Sequence, residues 1–187
     1  MIPYSRQYIS NKDKKNVLKA LGSDFLTTGP FVKSFEKELA RKFNCKYAIV
    51  VNSATSALHL SCIALDLKPN DHFWTSPISF VSSSNCALLC NAKVNFVDID
   101  ANTFNLSVEK LEEKLLSIKR KSNLPKIVVP VHLAGNPVNL KKLKKLAIKY
   151  NFKIIEDASH ATGSKLGKDY IGSCKYSNAA VFSFHPV

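Results

Sequence analysis

Short, uninterrupted apolar runs alternate with amphipathic stretches along most of this chain, and the two rhythms predict different elements. Tyr47–Val51, Phe73–Thr75, Val94–Val97, Ile127–Val131, Ile154–Asp157 and Ala179–Phe182 are short runs, mostly rich in β-branched or aromatic residues. Strands of that kind are apolar on both faces, as they must be when both faces are covered. Between them the period changes to that of a helix. Residues 53–65 place Leu58, Cys62 and Leu65 on one side, and 80–90 read as a further helix. Residues 108–118 turn Leu111, Leu115 and Ile118 inward and Glu112, Glu113 and Lys119 outward. Residues 140–150 bury Leu143, Leu146 and Ala147. Alternation of this kind predicts the α/β class: a mostly parallel sheet with helices on both faces.

The first part of the chain is helical by its punctuation. Ser10 followed three residues on by Asp13 is a capping-box variant, Val17, Leu18 and Leu21 mark an apolar face, and Gly22 stops the helix. An irregular stretch, Phe25-Leu26-Thr27-Thr28-Gly29-Pro30, ends at a proline suited to the first turn of a helix. That helix carries Phe31, Phe35, Leu39 and Phe43 at four-residue spacing, a row expected to pack in the core. Pro69-Asn70-Asp71 predicts a turn and residues 119–125 a polar surface loop. No repeat and no Pro/Gly/Ser linker divides the chain. Residues 1–30 are expected to form an arm with the first helix, and 31–187 a sheet-and-helix core.

Composition narrows the class of partner. The formal charge of +13 invites a nucleic-acid or membrane reading, but only three of the 27 basic residues are Arg (Arg6, Arg41 and Arg120). Arg is the residue that grips phosphates and bases in bidentate fashion, and the lysines are spread over helical segments without interleaved aromatics. Neither a nucleic acid nor a membrane is therefore expected as partner, although the charge suits an anionic small substrate. No run approaches the roughly 18 apolar residues of a span, and Met1-Ile2-Pro3-Tyr4-Ser5-Arg6 carries no leader-type apolar region, so a cytoplasmic protein is expected. The five cysteines include no C-x-x-C pair and are expected to be reduced and packed in apolar surroundings.

Residues able to carry chemistry gather at predicted strand ends, where ligands of such sheets bind. Asn52-Ser53-Ala54-Thr55-Ser56-Ala57-Leu58 opens a helix with small hydroxyl residues, which suits a phosphate as well as an ordinary cap. It is neither a P-loop nor G-x-G-x-x-G. Ile155-Glu156-Asp157-Ala158-Ser159-His160 puts an acid at the end of a buried strand with a His three residues on. Such an acid can pair with a pyridine nitrogen, or be simply structural. Ser183 and His185 close the last apolar run, and Phe80, in Pro77-Ile78-Ser79-Phe80, could stack on a planar group or pack in the core.

In this order and spacing the four clusters resemble the DegT/DnrJ/EryC1/StrS aminotransferases from about residue 3 onward. Leu26-Thr27-Thr28-Gly29-Pro30, Phe96-Val97-Asp98-Ile99-Asp100 and Pro130-Val131-His132-Leu133-Ala134-Gly135 add to the match. The last five residues, Ser183-Phe184-His185-Pro186-Val187, are similar to a family segment that continues with the lysine holding pyridoxal phosphate.

The resemblance implies an aspartate-aminotransferase-type large domain, a mixed and mostly parallel sheet, followed in the family by a smaller C-terminal domain. It implies pyridoxal 5'-phosphate as cofactor, with Thr55, Ser56 and Ser183 at its phosphate, Phe80 on its ring, Asp157 at the ring nitrogen and His160 near its 3'-oxygen. Some members have Gln where His160 stands. Thr28 and Gly29 would meet the substrate, and the catalytic lysine would follow Val187 directly. A 187-residue piece ending there is expected to be inactive alone. The implied reaction moves an amino group from glutamate to a keto group of a nucleotide-linked sugar, in a homodimer. The motifs are most like the branch that aminates C4 of a UDP-linked 4-keto-6-deoxy sugar for pseudaminic-acid-type glycans. A dehydratase branch with His in place of the lysine, and a non-catalytic paralogue, are the alternatives.

Overall fold

The computed structural model describes residues 6–185, which form two compact units. Residues up to Val50, with Phe184 and His185, make one; Val51–Ser183 make the other.

In the first unit α1 (Asn11–Leu21) begins at Ser10, whose hydroxyl accepts the Asp13 N–H while the Asp13 carboxylate accepts the Ser10 N–H. The predicted capping box is therefore formed, and Gly22 closes the helix. Its apolar face is not covered: Val17, Leu18 and Leu21 are all exposed, and α1 buries no residue. Helix α2 (Gly29–Phe43) has proline in its first turn and ends at Asn44 in the left-handed conformation. Of the predicted aromatic row only Phe43 is buried, while Phe31 and Phe35 remain exposed. Phe35 meets Phe184 edge-to-face at 5.3 Å.

Tyr47–Val51, predicted as a buried strand, is not one. It makes no ladder with any described strand, and Tyr47 and Ile49 are 73% and 80% exposed. β-Branched composition favours a strand only where a neighbour offers its backbone groups, and none lies beside this segment among the described residues. The Val50 N–H is instead taken by the Glu36 carboxylate.

The second unit follows the predicted alternation. It comprises α3 (Ala54–Ala64), β1 (His72–Thr75), α4 (Ser82–Leu88), β2 (Lys93–Phe96), α5 (Val108–Ser117), β3 (Pro125–Val129), α6 (Leu140–Tyr150) and β4 (Lys153–Asp157). A two-residue-stranded hairpin, β5 (Lys165–Leu166) and β6 (Asp169–Tyr170), then precedes β7 (Ala179–Val181). Within the predicted loop at 119–125, residues 121–123 form a 3-10 turn and Pro125 already belongs to β3. The main sheet is parallel throughout, in the order β2-β1-β3-β4-β7.

Alternation along each strand sends neighbouring residues to opposite faces. Phe73, Ile127, Val129, Ile155 and Val181 pack with Leu58 and Cys62 of α3 and Cys86 and Ala87 of α4. Trp74, Val128 and Ile154 pack with Leu111 and Leu115 of α5 and Leu143 and Leu146 of α6. Both sides are thus covered, and each of these Leu or Ile side chains contributes about 1.5–3 kcal/mol by leaving water.

The chain reaches β7 through Gly172, which sits at φ +86 with the Phe182 ring pressed where a Cβ would stand. Both facts require glycine. Gly172→Ala is expected to lower stability by about 1–3 kcal/mol, read as a lower urea midpoint with an unchanged slope.

Candidate functional site

Because β2 lies on one side of β1 and β3 on the other, the direction of winding reverses between β1 and β3. Ligands of such sheets bind beyond the strands' carboxyl ends at that reversal. The segments leaving β1, β3, β4 and β7 carry Ser76–Phe80, Pro130–Asn136, Ala158–His160 and Phe182–Ser183. Helix α3 feeds into the amino end of β1 and so begins at the opposite, carboxyl end.

The residue best fixed there is Asp157, the last of β4 and only 3% exposed. It shares the face of Ile155, the side covered by α3 and α4. Ser83 of α4 donates its hydroxyl to Asp157 Oδ2 at 2.6 Å. The Ser159 hydroxyl and N–H both reach Oδ1, at 2.7 and 3.2 Å. Ser83 is also bonded to the Ser79 hydroxyl, which ties Asp157 to the segment bearing Phe80. A carboxylate offers about four acceptor positions, so three donors leave one, on Oδ2, for a further N–H.

Thr55 and Ser56 occupy the first turn of α3, capped by Ser53, whose hydroxyl accepts the Ser56 N–H. The Ala54 and Thr55 N–H groups precede any intrahelical acceptor, and with the helix dipole they suit an anion. Phe80 is 74% exposed, which overturns the core-packing alternative for it within this unit. Ser183 follows β7, the strand whose Val181 pairs with Asp157. His160 is exposed too, with Nδ1 accepting the Ala134 N–H at 3.3 Å. Thr28 and Gly29 lie in the first unit, at φ 53 and 77, where the chain enters α2. Pro186 and Val187 lie outside the described residues.

Several residues of this region gain a role only from the fold. Ser83 looks like an ordinary serine until α4 brings it to the end of β4, and Ser159, inside the family-like segment, is given its role by its bonds to Asp157. Glu156, next to Asp157 but on the opposite face, is 1% exposed and bonds His132 Nε2 at 3.0 Å and the Ser177 hydroxyl. His132 Nδ1 accepts the Val138 N–H, so Nε2 carries the proton given to Glu156. Asn105, 3% exposed, accepts the Leu133 N–H and donates to the Asn136 carbonyl. The match of Pro130–Gly135 to a family segment marked this loop without saying what holds it.

Of the five cysteines Cys62 and Cys86 are buried as expected, whereas Cys45, Cys90 and Cys174 are only half-buried, and none forms a disulfide among the described residues. The hydrogen bond with Cys86, then burial, pushes the Cys62 thiol well up, and burial raises Cys45 and Cys90. Thiols so shifted are poor nucleophiles. No group of three or more His, Cys, Asp or Glu side chains among the described residues could hold a metal ion. No helix of these residues is long and apolar enough to cross a membrane.

Comparison with known proteins gives a consistent result. The sequence pattern of the DegT/DnrJ/EryC1/StrS aminotransferase family matches residues 7–187. A Campylobacter jejuni protein named UDP-4-amino-4,6-dideoxy-N-acetyl-beta-L-altrosamine transaminase is 41% identical over the whole chain, which covers 48% of that relative. The chain thus spans about half the length of the curated relatives it matches. Among solved structures, Helicobacter pylori PseC, an aminotransferase involved in the biosynthesis of pseudoaminic acid, superposes with a TM-score of 0.87 at 33% identity, covering 99% of this chain and 48% of that one. The Streptococcus pneumoniae protein Spr1654 in its PLP form gives 0.88 at 28% identity, covering 100% of this chain and 49% of that one.

Removing one partner from the buried Glu156–His132 pair leaves the other unsatisfied. His132→Ala is expected to cost about 3 kcal/mol or more in chemical denaturation, whereas a change at the exposed Lys119 is expected to stay within about 0.5 kcal/mol.

Proposed function

The chain belongs to the DegT/DnrJ/EryC1/StrS aminotransferase family, and we propose on that premise that the complete protein is a pyridoxal-phosphate-dependent sugar aminotransferase. Glutamate is the proposed donor, and the acceptor is the 4-keto group of a UDP-linked 4-keto-6-deoxy sugar for pseudaminic-acid-type glycans. The names of the Campylobacter and Helicobacter relatives support the sugar class, and the PLP form of Spr1654 supports the cofactor.

One observation carries the reading: a carboxylate buried at the end of β4, oriented by three donors and left with one acceptor position. That open position is the acceptor a protonated pyridine nitrogen needs. When bound, the cofactor supplies an electron sink for breaking and making bonds at the amino-bearing carbon. The protein's own residues do the rest. Asp157 keeps the ring nitrogen protonated, and Ser83 and Ser159 stop its carboxylate from rotating away. Thr55, Ser56 and Ser183 hold the phosphate, with the first-turn N–H groups of α3 adding fixed partial positive charge. Phe80 covers one face of the ring, and His160 donates to the 3'-oxygen.

Thr28 and Gly29 are proposed as substrate contacts because Leu26–Pro30 matches the family segment. A lysine directly after Val187 is proposed to hold the cofactor and move the proton, because Ser183–Val187 resembles the family segment that precedes it. A homodimer is the proposed assembly.

The test is amino transfer by the protein as encoded, given pyridoxal phosphate, glutamate and the UDP-linked 4-keto sugar. Asp157→Asn, which cannot stabilise the pyridinium, is expected to lower kcat on the order of 10²–10³-fold while phosphate binding at α3 persists. Full activity in Asp157→Asn would remove the central assignment. Transfer to a 3-keto but not a 4-keto sugar would reassign the substrate.

A further inference from the structure

Ala134 is an alanine in the left-handed region, at φ 50, and its N–H points at a histidine. Left-handed backbone is unfavourable for a residue with a Cβ, so the surroundings must hold it there. They do so from several sides. Asn105 Oδ1 accepts the Leu133 N–H at 2.9 Å and its Nδ2 donates to the Asn136 carbonyl at 2.8 Å, so one buried amide spans the turn. The Ser164 hydroxyl donates to the Gly135 carbonyl at 2.8 Å. Gly135 is itself at φ +80, and a Cβ there would stand 3.1 Å from the His160 carbonyl. The turn is thus shaped to lie against His160.

A neutral imidazole has one N–H and one bare nitrogen. The Ala134 N–H can only donate, so His160 Nδ1 must be the bare one and the proton must sit on Nε2. We propose that Asn105 is a positioning residue: by clamping the turn from Leu133 to Asn136 it aims the Ala134 N–H at His160 and fixes that ring as an Nε2–H donor. Asn105 lies far from His160 in sequence and acts only through the turn. Which oxygen His160 meets rests on the pyridoxal-phosphate reading above; the tautomer does not.

The experiment is ¹⁵N NMR of the histidine ring nitrogens in the protein as encoded, with and without pyridoxal phosphate, His160 being assigned by His160→Gln. In the unsubstituted protein His160 is expected to favour Nε2–H over Nδ1–H beyond the free-histidine ratio by roughly three- to tenfold, as one ordinary backbone hydrogen bond allows. In Asn105→Ala the ratio should return to that of free histidine. Asn105→Asp keeps the acceptor for Leu133 but loses the donor to Asn136, and should fall between; it also serves if the alanine variant does not fold.

An Nδ1–H ring in the unsubstituted protein would overturn the proposal. So would an unchanged ratio in a folded Asn105 variant, because Asn105 would then merely support the loop. Should neither variant fold, the unsubstituted protein still decides: the Ala134 amide shift must follow the protonation of His160, and an amide indifferent to it refutes the contact. A tautomer that moves with Asn105 in protein that binds no pyridoxal phosphate would uphold this role while refuting the cofactor reading.

Discussion

Glu156 and Asp157 are consecutive on a strand, so their side chains leave opposite faces of the sheet, and both are buried. Two neighbouring buried acids would be ruinous without partners, and the surrounding architecture supplies them. On one face α4 brings Ser83, and the turn after β4 brings Ser159, to Asp157. On the other, the loop after β3 brings His132, and the segment before β7 brings Ser177, to Glu156. Three stretches distant in sequence, together with the strand's own following turn, are thereby tied to one strand end.

The two acids therefore have different work. Glu156 lies on the side of Ile154 and is bonded through one oxygen to His132 and through the other to Ser177, so it anchors the loop from residue 132 onward. Asp157 lies on the side where α3 begins and keeps an acceptor position open. A parallel sheet with an internal reversal makes this division possible, because it collects loops from several strands at one edge while the strands themselves stay dry. The loop anchored by Glu156 also carries Ala134, whose N–H reaches His160. The structural acid and the proposed catalytic acid thus meet again, through a turn, at the same site.

Much of this was legible without coordinates. Period and punctuation placed α1, α2, α3, α5, α6 and five of the strands close to where they lie, since each depends on its own residues and on burial of both sheet faces. The order of the hydroxyl-rich helix start, Phe80, Asp157, His160 and Ser183 pointed to the family, which the match over residues 7–187 establishes. Where the pattern failed, the missing partner explains it. Tyr47–Val51 has strand composition and no ladder beside it, and Val17, Leu18 and Leu21 make an apolar face that nothing described covers.

What the sequence alone determined is the alternation of elements, the apolar positions on them and the polar residues at strand ends, because these follow from local periodicity. What only the tertiary structure decided is that Ser83 reaches Asp157, that His132 and Ser177 reach Glu156, and that Asn105 shapes a turn against His160. Those contacts join residues tens of positions apart, and no local spacing encodes them. They exist because parallel strands and packed helices bring distant segments to one edge of the sheet.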